Sequence, residues 1–386
     1  MITSLATPVG GVETLPVRQA LGRVLAGDAT TRTALPRFDH AAVDGYALCH
    51  ADVGREAPFD VRLAAGVAAG GPARRALAAG SALRVFTVEE RCRLAGTSVT
   101  VTVPVPAGAN IRRRGEDVPE GARIVEAGTV LDARHAAILT AAGVTTVAVR
   151  RRVRVAVLSN GNELVDSSVA PRECQIPDAN RPMLLALLEA ACVDAIDHGC
   201  HPDDPKVLAR VFERAASEAD VVISSGGVAG SDADHVARAV AAAGGRMRRF
   251  RLALKPGKPI LAGSIGDTPV LGWPGNPVAA MVNFLVFGRP LVNGIAGSSM
   301  MRPVGQAAVA GEPFSHATGR TEFLPVKVTD RLPDGRPRLL RLGCGGSARL
   351  RPLVLADGFA ELEAASADLE AESTVRFHPF TTAFTP

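Results

Sequence analysis

Three short stretches carry the residue types that could bind and handle an anion. Ser224-Ser225-Gly226-Gly227 offers two hydroxyls and backbone that a phosphate can approach closely, because glycine has no Cβ in the way. Lys255-Pro256-Gly257-Lys258-Pro259 sets two ammonium groups on a stiff turn. Only four of the 43 basic residues are lysines, and two of those four lie here, which points to a need for compact point charges. Trp273-Pro274-Gly275-Asn276-Pro277 completes the set, with Asn276 placed as a helix N-cap and Pro277 at the first helical position. A helix N-terminus there favours an anion.

The elements that must position these loops are legible around them. Apolar runs at 221–223, 250–254 and 269–271 each end in one of the three stretches. Flanked by helical patterns, they are expected as buried parallel strands. Ligands of open α/β sheets bind beyond the carboxyl ends of the strands, so the three loops are expected to line one crevice. Each loop alone is an ordinary turn or cap. Their succession after strands of one sheet is what carries the argument.

The order Ser225-Gly-Gly-Val, Lys255-Pro-Gly-Lys-Pro and Pro274-Gly-Asn-Pro resembles the molybdopterin-binding domain of the MoeA family, to which the E domain of gephyrin also belongs. Two further segments are similar to family motifs. Phe38-Asp39-His40-Ala41-Ala42-Val43-Asp44-Gly45-Tyr46-Ala47 resembles Asp-Asn-Ser-Ala-Met-Asp-Gly-Tyr-Ala, and Asn110-Ile-Arg-Arg-Arg-Gly-Glu-Asp117 resembles Asn-Ile-Arg-Arg-Arg-Gly-Glu-Asp. Taken without that likeness, the first is a hairpin corner and the second a solvated charge run. Looser matches occur at Gly319-Arg320-Thr-Glu-Phe323 and Gly343-Cys344-Gly-Gly-Ser347, so the resemblance spans nearly the whole chain.

The resemblance implies a multidomain α/β protein. Residues 1–35 and 118–150 would form a linking domain, 36–117 a small β-rich domain, 151–298 a Rossmann-like molybdopterin-binding domain and 299–386 a C-terminal β-barrel. It implies a cytoplasmic homodimer that inserts molybdate into adenylylated molybdopterin with release of AMP, using Mg²⁺, and hands the product to a recipient molybdoenzyme. Residue by residue it implies catalytic roles for Asp44, Glu163, Lys255 and Lys258. It places Thr87, Arg112, Asp117, Asp178, Ser225, Gly226, Gly227, Pro274, Gly275, Asn276 and Pro277 on the cofactor, and Asp203 and Asp234 on the metal. Lys255, Lys258 and Arg112 suit phosphate and molybdate; the carboxylates suit Mg²⁺ or an activated water.

The sequence departs from the family at one place. After Thr87 the family continues with a Gly-Ala loop that faces the partner subunit's site, whereas here Val88-Glu89-Glu90-Arg91-Cys92 follows directly. Two readings therefore stand: an active transferase, or a paralogue that binds and delivers the cofactor without inserting metal. A generic nucleotide-binding α/β protein is a third, and it would leave the arginine and barrel motifs without explanation.

Composition bounds the rest. A chain of 386 residues with 47% hydrophobic content holds several domains and ample core; aromatics at 4% mean that Ala, Val and Leu must build it. A formal charge of +4 without a basic tail gives no nucleic-acid surface. No uninterrupted apolar run reaches about 18 residues, and the N-terminal segment has no apolar signal core, so no membrane partner is expected. The six cysteines at 49, 92, 174, 192, 200 and 344 include no Cys-x-x-Cys pair and are expected as free thiols of a reducing compartment. His198, Cys200 and His201 cluster without an evident fourth zinc ligand. Helices are expected at 12–26, 133–142 and 182–191 and from Lys206, and a buried strand at 153–158.

Overall fold

Valine at 153, 155 and 157, with Ala156 and Leu158 interleaved, makes a strand apolar on both faces, and all five are fully buried. The computed structural model that shows this describes residues 5–43, 45–52, 55–66, 77–85, 92–228, 235–299, 304–343 and 349–381. The strand is β1 (Val153–Asn160), joined in one sheet by β2 (Val193–His201), β3 (Val221–Ser225), β4 (Arg246–Phe250), β5 (Ile260–Ile265) and β6 (Thr268–Trp273). Their order is β2-β1-β3-β6-β5-β4. Neighbours from β2 to β6 run parallel; β5 opposes β6 and β4 opposes β5, so β4 points the same way as the first four.

Alternate residues of β1 feed different cores. Val153, Val155 and Val157 pack with Leu184, Trp273, Phe284 and Leu291, which brings helices Asn180–Leu187, Pro277–Asn283 and Arg289–Ile295 onto one face. Ala156 and Leu158 pack with Leu208, Phe212, Val236 and Val240, which brings Pro205–Glu218 and His235–Ala242 onto the other. The helical run Pro277–Ile295, interrupted by a π turn at Phe284–Gly288, is apolar and long enough to cross a membrane, but 67% of it is buried in this core.

The remaining described strands of the larger unit form a closed barrel. Thr321–Arg331 pairs with Pro337–Arg341, which pairs with Gln306–Ala310, then Thr374–Pro379, then Gly358–Leu362, which returns to Thr321–Arg331. Leu324, Val326, Leu339, Ala360 and Phe377 fill it. The chain thus separates into a unit of residues 1–28, 126–136 and 146–386 and a smaller one of 29–125 and 137–145. The smaller unit holds a five-stranded sheet with Phe59, Val61, Ala82, Val99 and Val101 as its core.

Three expected elements differ. Residues 12–26 are not a helix: Val12–Pro16 is a strand paired with Thr146–Arg150, followed by a short 3-10 turn at Val17–Ala20. Pro16 lacks the N–H a helix needs there, and Gly22 takes φ +75°. Residues 250–254 are not a buried parallel strand either. Arg246–Phe250 is a partly exposed edge strand, because Arg-Met-Arg-Arg-Phe is too polar to be covered on both faces. Leu254 and Lys255 instead leave the sheet and pair in parallel with Thr321 and Glu322 of the barrel. The expected 182–191 helix runs Asn180–Leu187, its start moved forward by Asp178, whose carboxylate accepts from the N–H groups of Asn180 and Arg181.

Candidate functional site

The loops after β1, β3 and β6 meet at the carboxyl edge of the sheet, and asparagines hold them together. Asn160 is buried, and its backbone oxygen faces Gly226 so closely that a Cβ there would lie 2.0 Å away. A Cβ at Gly227 would lie 2.4 Å from Asn160 Nδ2. With φ of +104° and +65°, both positions require glycine on two counts. Gly226 N–H donates to the Trp273 carbonyl oxygen at 3.0 Å. The buried Asn180 side chain donates to Ser225 Oγ at 2.7 Å and to the Gly275 carbonyl oxygen at 2.8 Å, tying the β3 and β6 loops together. Asn276 caps its helix, accepting from the N–H groups of Val278 and Ala279, with Pro277 at the first position. Those two donors therefore serve the cap.

Carboxylates surround this floor. Asn160 Nδ2 donates to Asp203 Oδ1 at 2.7 Å, and Asp203 N–H donates to Asn162 Oδ1 at 3.0 Å. Glu163 is exposed, with its carboxylate over Gly161. Asp178 is buried and accepts from Asn180 N, Arg181 N and Arg181 Nε. Arg181 also pairs with Asp166 and Asp197. Burial opposes the Arg181 charge, but Asp197, Asp166 and Asp178 more than offset it, and its pKa is raised. Asp166 falls to about 2, chiefly through hydrogen bonds from the Ser168 backbone and hydroxyl and then from Arg181.

The lysine turn emerges from the same edge, because β4 shares the direction of β3 and β6. It is three strand positions from β3, about 14 Å at ordinary spacing. The Lys255–Pro256 and Lys258–Pro259 bonds are both cis. Lys255 Nζ lies 2.8 Å from Glu322 Oε1, and Lys258 is exposed. Pro274 and Gly275 form the turn ahead of Asn276, with Gly275 oxygen held by Asn180 as above.

The smaller unit carries Arg112 and Asp117, both exposed. Each arginine of the triplet has its own carboxylate: Arg112 with Glu116 at 2.7 Å, Arg113 with Asp39 at 2.7 Å and Arg114 with Glu120 at 2.6 Å. Asp39 lies below the usual carboxylate range, held first by the Arg114 backbone N–H and then by Arg113. Asp44, Thr87 and Asp234, and the departure from the family pattern after Thr87, lie outside the described residues. Around His198, Cys200 and His201, burial lowers the His198 pKa and pushes the Cys200 thiol up to about 11, which works against a thiolate ligand. Among the described residues no group of three or more His, Cys, Asp or Glu side chains is placed to hold a metal ion.

The network contains participants that motif spacing alone left out: Asn160 and Arg181, and on the barrel side Glu322 and His316. Residues 156–294 match a family described as a probable molybdopterin binding domain. The sheet and its edge thus define a molybdopterin-binding class of α/β protein. Residues 1–143 match the MoeA N-terminal region (domain I and II), and 307–380 the MoeA C-terminal region (domain IV). The chain is 32% identical over 385 residues to a molybdopterin molybdenumtransferase of Haemophilus influenzae, covering 95% of this chain and 94% of that protein. It is also 32% identical over 342 residues to molybdopterin molybdenumtransferase 1 of Mycobacterium tuberculosis, covering 80% of each. A solved MoeA protein of molybdopterin biosynthesis from Pyrococcus horikoshii superposes with a TM-score of 0.82 at 26% identity, covering 98% of this chain and 97% of that one. The chain belongs to the MoeA family.

Proposed function

We propose that this chain is a molybdopterin molybdenumtransferase, taking adenylylated molybdopterin and molybdate, releasing AMP and leaving molybdenum on the dithiolene. The observation that carries the reading is the carboxyl-edge floor, where Asn160 and Asn180 lock the Ser225-Gly226-Gly227 and Pro274-Gly275 loops beside Asp203. Such a floor is rigid and polar, with Ser159 Oγ, Asn160 Oδ1 and Asn180 Oδ1 buried and without a hydrogen-bond partner among the described residues. Unsatisfied buried oxygens of this kind call for a donor or a cation from the ligand side.

Mg²⁺ fits this donor set. It takes oxygen ligands, often only one or two carboxylates, and keeps several waters. Asp203, one of whose oxygens is engaged by Asn160, and Asp234 would hold it. When bound it supplies positive charge to phosphate oxygens. In this reading Lys255 and Lys258 bind the phosphate and molybdate oxygens, and Glu163 and Asp44 are the carboxylates placed to accept a proton from water. Arg112, Asp117 and Thr87 come from the small domain, Asp178 fixes the Asn180 helix start, and the five-part domain division given above holds. The working form is a cytoplasmic homodimer that passes its product to a recipient molybdoenzyme.

The test is a reconstitution of purified protein with adenylylated molybdopterin, molybdate and Mg²⁺, following AMP release and activation of an apo-molybdoenzyme. The expected result is both signals above a control carrying Asp44→Ala and Lys255→Ala. Tight binding of the adenylylate with neither signal would replace the transferase with a carrier, the reading favoured by the sequence departure after Thr87.

A further inference from the structure

Along Thr321–Arg331 burial alternates, and Glu322 shares the buried set with Leu324 and Val326. A carboxylate on the face that fills the barrel is costly unless both its oxygens are matched. Both are. Oε2 lies 3.1 Å from His316 Nδ1, and Oε1 lies 2.8 Å from Lys255 Nζ. His316 is itself buried, its Nε2 3.1 Å from the Glu363 carbonyl oxygen and its backbone N–H donating to Asp368 at 2.7 Å. The buried acid thus spends one oxygen on a fixed ring and the other on a half-exposed ammonium that belongs to the sheet's carboxyl edge.

We propose that Glu322, backed by His316, is a positioning residue that orients the Lys255 ammonium toward the substrate anion. The inference rests on the transferase reading for what Lys255 faces. The backbone supports the same end, because Lys255 and Glu322 are register partners in the parallel pairing of Leu254–Lys255 with the barrel. Side chains at such a pair leave on the same side of the ladder. A flexible four-carbon stem would otherwise spread the charge over many rotamers. Held at one end of a buried carboxylate, the ammonium keeps one geometry, with its other hydrogens free to point outward.

A double-mutant cycle decides the matter. Glu322→Gln keeps the shape and removes the charge, and should lower kcat/KM for AMP release about 10-fold with the melting temperature little changed. Lys255→Ala should cost more, and adding Glu322→Gln to it should cost nothing further. His316→Asn should give a smaller loss in the same direction, also cancelled by Lys255→Ala. A Glu322→Gln penalty that persists at full size on the Lys255→Ala background overturns the inference, since Glu322 would then act on the barrel alone. So does a Glu322→Gln variant with wild-type kinetics. A readout free of turnover keeps the two readings apart: amine acetylation followed by mass spectrometry. Lys255 should label faster in Glu322→Gln than in wild type, with Lys258 unchanged. Wild-type protein that releases no AMP removes the transferase reading, and the labelling result then stands alone: a Lys255 rate unchanged by Glu322→Gln overturns the positioning role.

Discussion

At the carboxyl edge of the sheet, Asn160, Asp178, Asn180 and Ser225 are buried and grip one another across loops far apart in sequence. In the 110–117 segment of the smaller unit, three arginines are exposed and each turns to a separate carboxylate. Both regions carry strong motifs, but their physics differs. In the first, every polar atom that moves leaves a partner unsatisfied in a low-dielectric setting, so geometry is fixed. In the second, water can replace any partner, and an incoming anion can take an arginine from its carboxylate at small cost. A built floor and an adjustable clamp are different tools, and they should answer differently to mutation.

The sharpest way to break the contrast is Gly226→Ala. Its Cβ would meet the Asn160 carbonyl oxygen at 2.0 Å from a left-handed backbone. We expect a loss of about 3 kcal/mol or more in urea unfolding, with AMP release abolished. A wild-type midpoint would show that the floor is softer than its contacts. Asn180→Ala comes next, stripping a donor from Ser225 and from Gly275. It should cost about 1 to 3 kcal/mol by the same measurement.

A pH series on Asp166→Asn sharpens the comparison further. The folded-state pKa of Asp166 is about 2, below its ordinary 3.8, so its contribution is fully present above that ordinary value and fades as pH falls through the folded one. The variant should therefore melt below wild type at pH 7, and the gap should close between about pH 4 and about pH 2. A gap that widens on acidification would refute the assignment. The smallest structural effect belongs to Arg112→Ala. Its melting curve should overlay that of wild type, while affinity for adenylylated molybdopterin, read by titration calorimetry, weakens about 10-fold. A large drop in melting temperature would make the clamp a built element after all.

Local signals were readable and long-range ones were not. The Asn276–Pro277 cap and Asp204, which accepts from Lys206 and Val207 at the next helix start, follow from spacing within a few residues. So does the glycine requirement at 226 and 227, in kind if not in cause: the obstructing atoms belong to Asn160, far away in the chain. The grip of Asn180 on Ser225 and Gly275 crosses 45 and 95 residues, beyond any periodicity. Glu322 did leave a trace, since it stands in phase with the apolar Leu324 and Val326, at a position that alternation assigns to an interior. The failed helix at 12–26 came from weighing apolar spacing above Pro16 and Gly22, which the backbone does not ignore.

The two-residue strand Leu254–Lys255 has a consequence for anyone who would cut this protein apart. It lies between β4 and β5 in sequence yet adds its ladder to Thr321–Glu322. A truncation near residue 300 that looks like a clean removal of the last domain would strip the lysine turn of its strand neighbour and of Glu322 together. The carboxy-terminal barrel is thus no detachable passenger, and minimal versions of the molybdopterin-binding half should be made by grafting residues 321–323 back, not by shortening the gene.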